Sequence, residues 1–158
     1  MAYKVFISHS SEDRDWAIAL KKDCQTVGAT AYIFEHDCQP GGSIAEKVLR
    51  HIQESDAVIV LLTKHGQASP YVQQEIGAAS SLKKLVIPLV EGGVSKPKLA
   101  LLDGKEYIEF HPGNLEPAKR KTLSYLKRHS RELVIGAVIG VIAVVALFLT
   151  IGLLGRKK

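Results

Sequence analysis

Three polar segments of this chain carry the side chains that could bind a ligand or take part in chemistry: SHSSED, EHDCQPGGS and the loop that precedes Pro70. Each follows an apolar, β-branched run that predicts a strand. If those strands form a parallel sheet, the three segments meet beyond their carboxyl ends, which is where open α/β sheets bind ligands. The sequence therefore predicts a ligand-binding edge built from these three loops.

Missing motifs exclude several kinds of site. No GxGxxG follows the first predicted strand and no GxxxxGK[ST] occurs, so the dinucleotide-binding and P-loop fingerprints are absent from the sequence. The third predicted strand ends in Thr63 and Lys64, whereas a phospho-receiver domain would end it in Asp. The histidines lack metal-ligand spacing, and Cys24 and Cys38 form no CxxC pair. We therefore expect no metal or redox centre, and both thiols should stay reduced in the cytosol.

The elements that must position these loops follow from hydrophobic patterning. Apolar runs alternate with amphipathic helical segments, which predicts a flavodoxin-like α/β domain with a five-stranded, mostly parallel sheet. The predicted strands are Lys4–Ile7, Thr30–Phe34, Ala57–Leu62, Leu85–Val90 and Glu106–Phe110. Ser10 and Asp13 have the spacing of a capping box for the first helix, which Gly28 should end. The second helix should bury Ile44, Val48, Leu49 and Ile52. Pro70 should begin the third helix, and Asn114 should cap the last one.

An uncharged segment of 22 residues runs from Leu133 to Leu154, and Thr150 is its only polar side chain. As a helix it would be about 33 Å long, enough to cross a hydrocarbon core of about 30 Å. We therefore predict a soluble domain over residues 1–130 and a transmembrane helix with a basic tail over residues 131–158. No signal peptide precedes the domain, which favours the cytoplasmic side of the membrane.

The basic residues that flank the predicted helix support the same orientation. Three follow the apolar segment, and six precede it: Lys119, Arg120, Lys121, Lys127, Arg128 and Arg131. These nine account for the net charge of +5, because residues 1–118 hold 12 basic and 15 acidic residues and are near −3. We therefore expect the basic residues to face anionic lipid and expect no nucleic-acid binding.

Three motifs, in order, resemble the TIR (Toll/interleukin-1 receptor) domain family. VFISHSSEDR resembles the opening of prokaryotic-type TIR domains, and IFEHDCQPGGSI resembles their second strand and the following BB loop. SDAVIVLLT and SPYVQQEI resemble the third strand and the helix with the signature Glu of the family. The resemblance covers about residues 3–128. It departs from the common form at Tyr71, where the family usually has Trp.

Many TIR domains cleave NAD+ at the nicotinamide–ribose bond, and the resemblance implies that Glu75 is the catalytic residue. One carboxylate suits this reaction, because nicotinamide departs as a neutral molecule and needs no general acid. A negative charge beside the ribose stabilises the oxocarbenium-like transition state. Tyr71 lies one helical turn before Glu75 and is expected to pack on the nicotinamide or the ribose. The alternative is that Glu75 is a solvated acid on the helix surface.

The resemblance also implies roles for loop residues. The implied substrate contacts are Ser8, His9, Glu35, Gly42 and Tyr71, and the implied contacts between TIR domains are Pro40, Gly41, Gly42 and Ser43. Ser8 and His9 could instead be loop-capping residues, and Glu35 could be a surface acid. The two glycines of the BB loop most simply permit a tight turn.

These features favour a membrane-anchored NAD+ nucleosidase, either a hydrolase or an ADP-ribosyl cyclase, that becomes active when TIR domains self-associate. NAD+ is then a substrate, with no bound cofactor, and signalling or antiviral defence is the expected context by analogy. The alternative is a non-enzymatic adaptor that recruits other TIR domains to a membrane, but an adaptor needs no carboxylate at Glu75. A third hypothesis, permeabilisation of the membrane by the helix itself, has little support from a helix whose one polar residue is Thr150.

Overall fold

A computed structural model describes residues 2–34, 43–94, 102 and 106–130 of the 158-residue chain. Its strands are β1 (Tyr3–Ser8), β2 (Ala29–Ile33), β3 (Ala57–Leu62), β4 (Leu85–Glu91) and β5 (Ile108–Phe110). They form one sheet in the order β2-β1-β3-β4-β5, and all four pairings are parallel. The predicted α/β class and five-stranded sheet are confirmed.

Helices cover both faces of this sheet. They are α1 (Arg14–Thr26), α2 (Ile44–Glu54), α3 (Pro70–Ser81) and α4, which spans residues 116–130 of the described chain. One hydrophobic core joins the sheet to α1 and α4, and a second joins it to α2 and α3. All six residues of β3 are buried, as expected for the central strand of a parallel sheet covered on both faces.

The pairing of β4 with β5 leaves part of β4 uncovered. β5 pairs only with the last three residues of β4, beginning at Leu89. The residue before Leu89 is Pro88, which has no N–H to donate to a neighbouring strand, so a ladder can end there without loss of a hydrogen bond. The first half of β4, from Leu85 to Pro88, therefore lacks a partner strand on the β5 side among the described residues.

The predicted buried face of α2 is wrong for two of its residues. Ile52 is fully buried and Val48 is partly buried, but Ile44 and Leu49 are 36% and 40% exposed. The helix contacts α3 and β1. It follows β2, which is an edge strand, so the described part of the sheet has no strand beyond β2 to cover the rest of its apolar stripe.

The capping box predicted at Ser10 and Asp13 is also wrong. The Ser10 hydroxyl donates to Asp13 Oδ2 at 2.5 Å, and no side chain caps α1, which begins after a 3₁₀ turn over Ser11–Asp13. Other terminal signals are confirmed. Gly28 follows α1 with a φ of +78°, which favours glycine, and Asn114 Oδ1 accepts from the backbone N–H of Glu116 at 3.2 Å.

Two polar side chains between the sheet and the helices have structural roles. Lys119 was counted among the basic residues near the membrane, but it is buried and forms salt bridges with Asp23 of α1 at 2.7 Å and Glu116 at 2.5 Å. Its charge is therefore neutralised within the domain, and five exposed or undescribed basic residues remain before the apolar segment.

Burial raises the pKa of the Cys24 thiol to about 12, so this cysteine stays protonated.

The C-terminal prediction is not tested by this structure. The predicted transmembrane helix, Leu133–Leu154, lies outside the described residues, as does Cys38. Within the described part of the chain, no helix has the length and apolar character needed to cross a membrane.

Candidate functional site

Glu75 lies on the face of α3 that packs against the sheet. Ser69 caps this helix by accepting from the backbone N–H of Val72 at 3.4 Å, and Pro70 occupies the first turn. Val72 and Ile76, which share the inner face with Glu75, belong to the apolar core. Glu75 itself is only 8% exposed. The alternative of a solvated surface acid is therefore wrong.

The Ser8 side chain meets this face of α3 from the sheet. Ser8 is the last residue of β1 and lies two residues after Phe6, so both side chains point toward the α2–α3 side. Ser8 is completely buried. Neither Ser8 Oγ nor Glu75 Oε2 meets the geometry of a hydrogen bond with any described residue. Two buried polar groups that lie close together without a well-formed hydrogen bond are costly to a fold, and a bound ligand is one way to satisfy them.

The electrostatics of Glu75 follow from its burial. Burial raises the pKa of the Glu75 carboxyl to about 7, and the nearby Ser8 hydroxyl lowers it by a smaller amount. Desolvation disfavours the charged form of a carboxyl, and no cation in the described part of the chain offsets that effect. The carboxyl is thus poised to change its charge near neutral pH, as groups in active sites commonly are.

The remaining described site residues lie around Glu75 and Ser8. Tyr71 precedes Glu75 by one helical turn and is 56% exposed, so it stands at the rim of the site rather than in the core. His9 follows β1, and its ring Nδ1 donates to the carbonyl oxygen of Ile7 at 3.3 Å. The structure therefore brings Ser8, Glu75 and the rim residues His9 and Tyr71 to the carboxyl end of the sheet.

The BB loop lies almost entirely outside the described residues, including Glu35, Pro40, Gly41 and Gly42. Ser43 is described. It caps α2, because its hydroxyl accepts from the backbone N–H of Glu46 at 3.2 Å. Its observed role is therefore to fix the point at which the chain enters α2.

A buried network that sequence reasoning missed ties two loops of the site together. Thr63, which follows β3, donates to Asp13 Oδ2 at 2.7 Å and accepts from the N–H groups of His65 and Gly66 at 3.1 and 2.8 Å. A Cβ on Gly66 would lie 2.2 Å from the Leu61 carbonyl oxygen, so only glycine fits. This loop leads directly to Ser69 and α3, so the network helps to fix the position of Glu75.

We expect Thr63→Val to destabilise the domain by about 1–3 kcal/mol, because it leaves two N–H groups and the Asp13 carboxylate without their common partner. The free energy of unfolding in urea measures this effect. Thr30→Val is the matched control, since Thr30 lies exposed on β2 and should change stability by less than about 0.5 kcal/mol. Equal effects of the two substitutions would contradict a role for the Thr63 network.

A cavity of about 350 Å³, which Glu75 does not line, lies between the first turns of α1 and the ends of β3 and β4. Its carboxylates are Glu12, Asp13, Asp15 and Glu91, and Glu91 Oε2 accepts from the backbone N–H of Lys64 at 2.8 Å. Across the described ranges, no group of three or more His, Cys, Asp or Glu side chains has an arrangement that could hold a metal ion.

The sequence was also compared with models of known protein families. A model of the TIR domain family matches residues 5–124. The chain belongs to the TIR domain family. The predicted membership of the TIR family is thus confirmed, and no curated protein matches the chain.

Solved structures share this TIR fold at low sequence identity. The TIR domain of a Toll-related receptor from Hydra magnipapillata is 22% identical, with a TM-score of 0.64 over 80% of this chain and 98% of that one. A CMP N-glycosidase from Clostridium botulinum is 18% identical, with a TM-score of 0.59 over 77% and 98%. A TIR-STING receptor from C. gigas, solved with 2',3'-cGAMP, is 22% identical, with a TM-score of 0.60 over 76% of this chain and 39% of that one.

Proposed function

We propose that this TIR domain cleaves NAD+ at the nicotinamide–ribose bond and that the Glu75 carboxylate stabilises the transition state. One observation carries the proposal. Glu75 is a buried carboxyl with a pKa of about 7, it has no cationic partner among the described residues, and it lies beside Ser8, the residue at which β1 ends. A folded protein tolerates such an uncompensated group most readily where a substrate supplies the missing positive charge.

The reaction breaks the bond between ribose C1′ and the nicotinamide nitrogen. The bonding electron pair goes to the nitrogen, so the cationic ring leaves as neutral nicotinamide and the ribose becomes oxocarbenium-like. The ionised Glu75 stabilises that charge in a water-poor setting, where electrostatic interactions are strong. Water then attacks C1′ and releases a proton to give ADP-ribose, or the adenine of the same molecule attacks to give a cyclic product. Ser8 is placed to donate to the Glu75 carboxylate or to a ribose hydroxyl.

The proposal extends to assembly and location. The prokaryotic-type opening, VFISHSSEDR, supports a role in signalling or antiviral defence. We propose that TIR–TIR contacts through Pro40 to Ser43 activate the enzyme and that Leu133–Leu154 anchors it in a membrane, with the TIR domain on the cytoplasmic side. What supports the anchor is the 22-residue uncharged segment and the basic residues around it.

A nucleotide with an uncharged base is a second candidate substrate, and the pKa of Glu75 favours it as well. An uncharged base leaves more readily when it is protonated, and a carboxyl with a pKa of about 7 is partly protonated near neutral pH. A solved relative by fold is a CMP N-glycosidase, although 18% identity shows only the shared fold. Cleavage of NAD+ therefore requires ionised Glu75, whereas release of an uncharged base requires protonated Glu75.

The experiment that tests the proposal uses the full chain reconstituted in liposomes at low and at high surface density. Nicotinamide release and NAD+ loss are followed by chromatography. We expect release per chain to rise with surface density, because assembly activates the enzyme. No release at any density, combined with density-dependent recruitment of a second TIR domain, would favour the non-enzymatic adaptor. Release of a base from CMP in place of nicotinamide would favour the second substrate.

A further inference from the structure

A groove of about 320 Å³ lies at the opposite end of the fold from Glu75, beside α4. Its floor is the uncovered first half of β4, Leu85 to Pro88, and one wall is the chain that enters β5. The other wall consists of four residues of one face of α4: Lys121, Ser124, Tyr125 and Arg128. Its volume falls in the range of small-molecule sites, which is about 300–1,000 Å³.

The chemistry of the groove is amphipathic. The floor is apolar, with Val86 and Ile87 only 8% and 7% exposed, while Lys121 and Arg128 stand exposed at the rim. The Arg128 guanidinium lies 5.6 Å from the centre of the Tyr125 ring, so the aromatic ring helps to hold this cation in place. Among the described lining residues, Lys121 and Arg128 are basic and Glu106 is the one acid, so cations outnumber anions in that part of the groove. A ligand that fits has an anionic head and an apolar body.

The course of the chain indicates where such a ligand comes from. Arg128 precedes Leu133, the first residue of the uncharged segment, by five residues. Whatever its conformation, a stretch of that length spans at most about 17 Å. If Leu133 enters a bilayer, the rim of the groove therefore lies at or near the headgroup layer. Lysine and arginine at that depth attract anionic lipid, and tyrosine is favoured there.

We infer that this groove binds one acidic phospholipid of the host membrane, with the phosphate between Lys121 and Arg128 and the start of an acyl chain over Leu85 and Ile87, the β4 residues whose side chains face α4. The inference rests on the membrane anchor of the proposed function and is independent of NAD+ cleavage. Bound lipid fixes the orientation of the TIR domain relative to the bilayer.

The test uses the full chain in an uncharged detergent, and native mass spectrometry counts bound lipids. The probes are dihexanoyl phosphatidylglycerol, dihexanoyl phosphatidylcholine and glycerol 3-phosphate. We expect one tightly bound phosphatidylglycerol per chain, and the double variant K121Q/R128Q should weaken its binding about tenfold or more. The matched control R120Q/K127Q removes the same charge from exposed positions of α4 outside the groove and should change binding less than about twofold.

Four results would overturn the inference. The first two are that both double variants weaken lipid binding equally, and that the acidic and zwitterionic lipids bind equally well. The third is that glycerol 3-phosphate binds as tightly as phosphatidylglycerol. The fourth is that K121Q/R128Q loses self-association but keeps its bound lipid. The last result would assign the groove to a second copy of the chain. The anchor is tested separately by extraction of the chain from liposomes with alkaline carbonate. Nicotinamide release tests NAD+ cleavage. A failure of the lipid site, of the membrane anchor or of NAD+ cleavage can therefore be told apart from the other two.

Discussion

Glu75→Gln is expected to lower kcat/KM for nicotinamide release by about 100-fold or more while the fold is retained. The substitution keeps the volume of the side chain but removes the charge that stabilises the ribosyl cation. Loss of one preorganised electrostatic contact costs about 10²–10³ in rate. The measurement is initial-rate kinetics of the full chain at high density on liposomes, with protein content and the circular dichroism spectrum matched between samples.

Two further variants make this result specific. Glu54→Gln removes a carboxylate from an exposed position at the end of α2 and should leave kcat/KM within about twofold of the parent. Glu75→Ala leaves a small cavity, which added formate could enter as a replacement carboxylate and partly restore the rate. Activity of Glu75→Gln within about threefold of the parent would remove Glu75 from the chemistry, even if the chain cleaves NAD+.

Glu75→Gln is also expected to stabilise the domain by up to about 3 kcal/mol near pH 8. In the folded state the Glu75 pKa is raised from 4.5 to about 7, so the folded protein binds the proton more tightly than the unfolded chain does. The stability of the parent therefore falls as the pH rises from about 4.5 to about 7, and it changes little above that range. Gln cannot ionise, so the variant does not lose stability over this pH range. The difference in stability between Glu75→Gln and the parent should therefore nearly vanish near pH 4.

Urea unfolding of the full chain in detergent measures this effect, with the fluorescence of the single tryptophan, Trp16, as the probe. Glu54→Gln again serves as the control, because an exposed carboxylate should give a small difference that does not depend strongly on pH. A Glu75→Gln variant that is less stable than the parent at both pH values would show that the carboxylate has a stabilising partner. Greater stability with lower activity is the pattern expected of a functional group whose burial is costly.

Much of the fold could be predicted because it depends on local patterns. The uninterrupted apolar run Ala57–Leu62 predicts a covered central strand, and Pro70 predicts the start of α3, and both are observed. Predictions failed where distant parts of the chain decide the outcome. The Ser10–Asp13 spacing suggested a local cap, but the Asp13 side chain accepts from the hydroxyls of both Ser10 and Thr63, and Thr63 lies 50 residues away. Ile44 and Leu49 stay exposed because α2 follows an edge strand, and strand order is invisible in local hydropathy.

The candidate site shows the same division. The motif around Glu75 could be recognised from residue types and spacing, but the burial of Glu75, its raised pKa and its position beside the Ser8 hydroxyl depend on the packing of α3 against β1. The salt bridges of Lys119 could not be predicted either, because Asp23 lies on another helix. The basic cluster before the apolar segment therefore looked larger in sequence than it is in the fold.

The pH profile of nicotinamide release by the full chain, between about pH 5 and pH 9, tests the central claim most directly. If ionised Glu75 stabilises the ribosyl cation, kcat/KM rises with pH as a single group ionises and levels off above a midpoint near 7. The midpoint of kcat should be lower, because the bound nicotinamide ring is cationic and favours the carboxylate. A kcat/KM that falls through pH 7, or the absence of nicotinamide at every pH, would contradict the account.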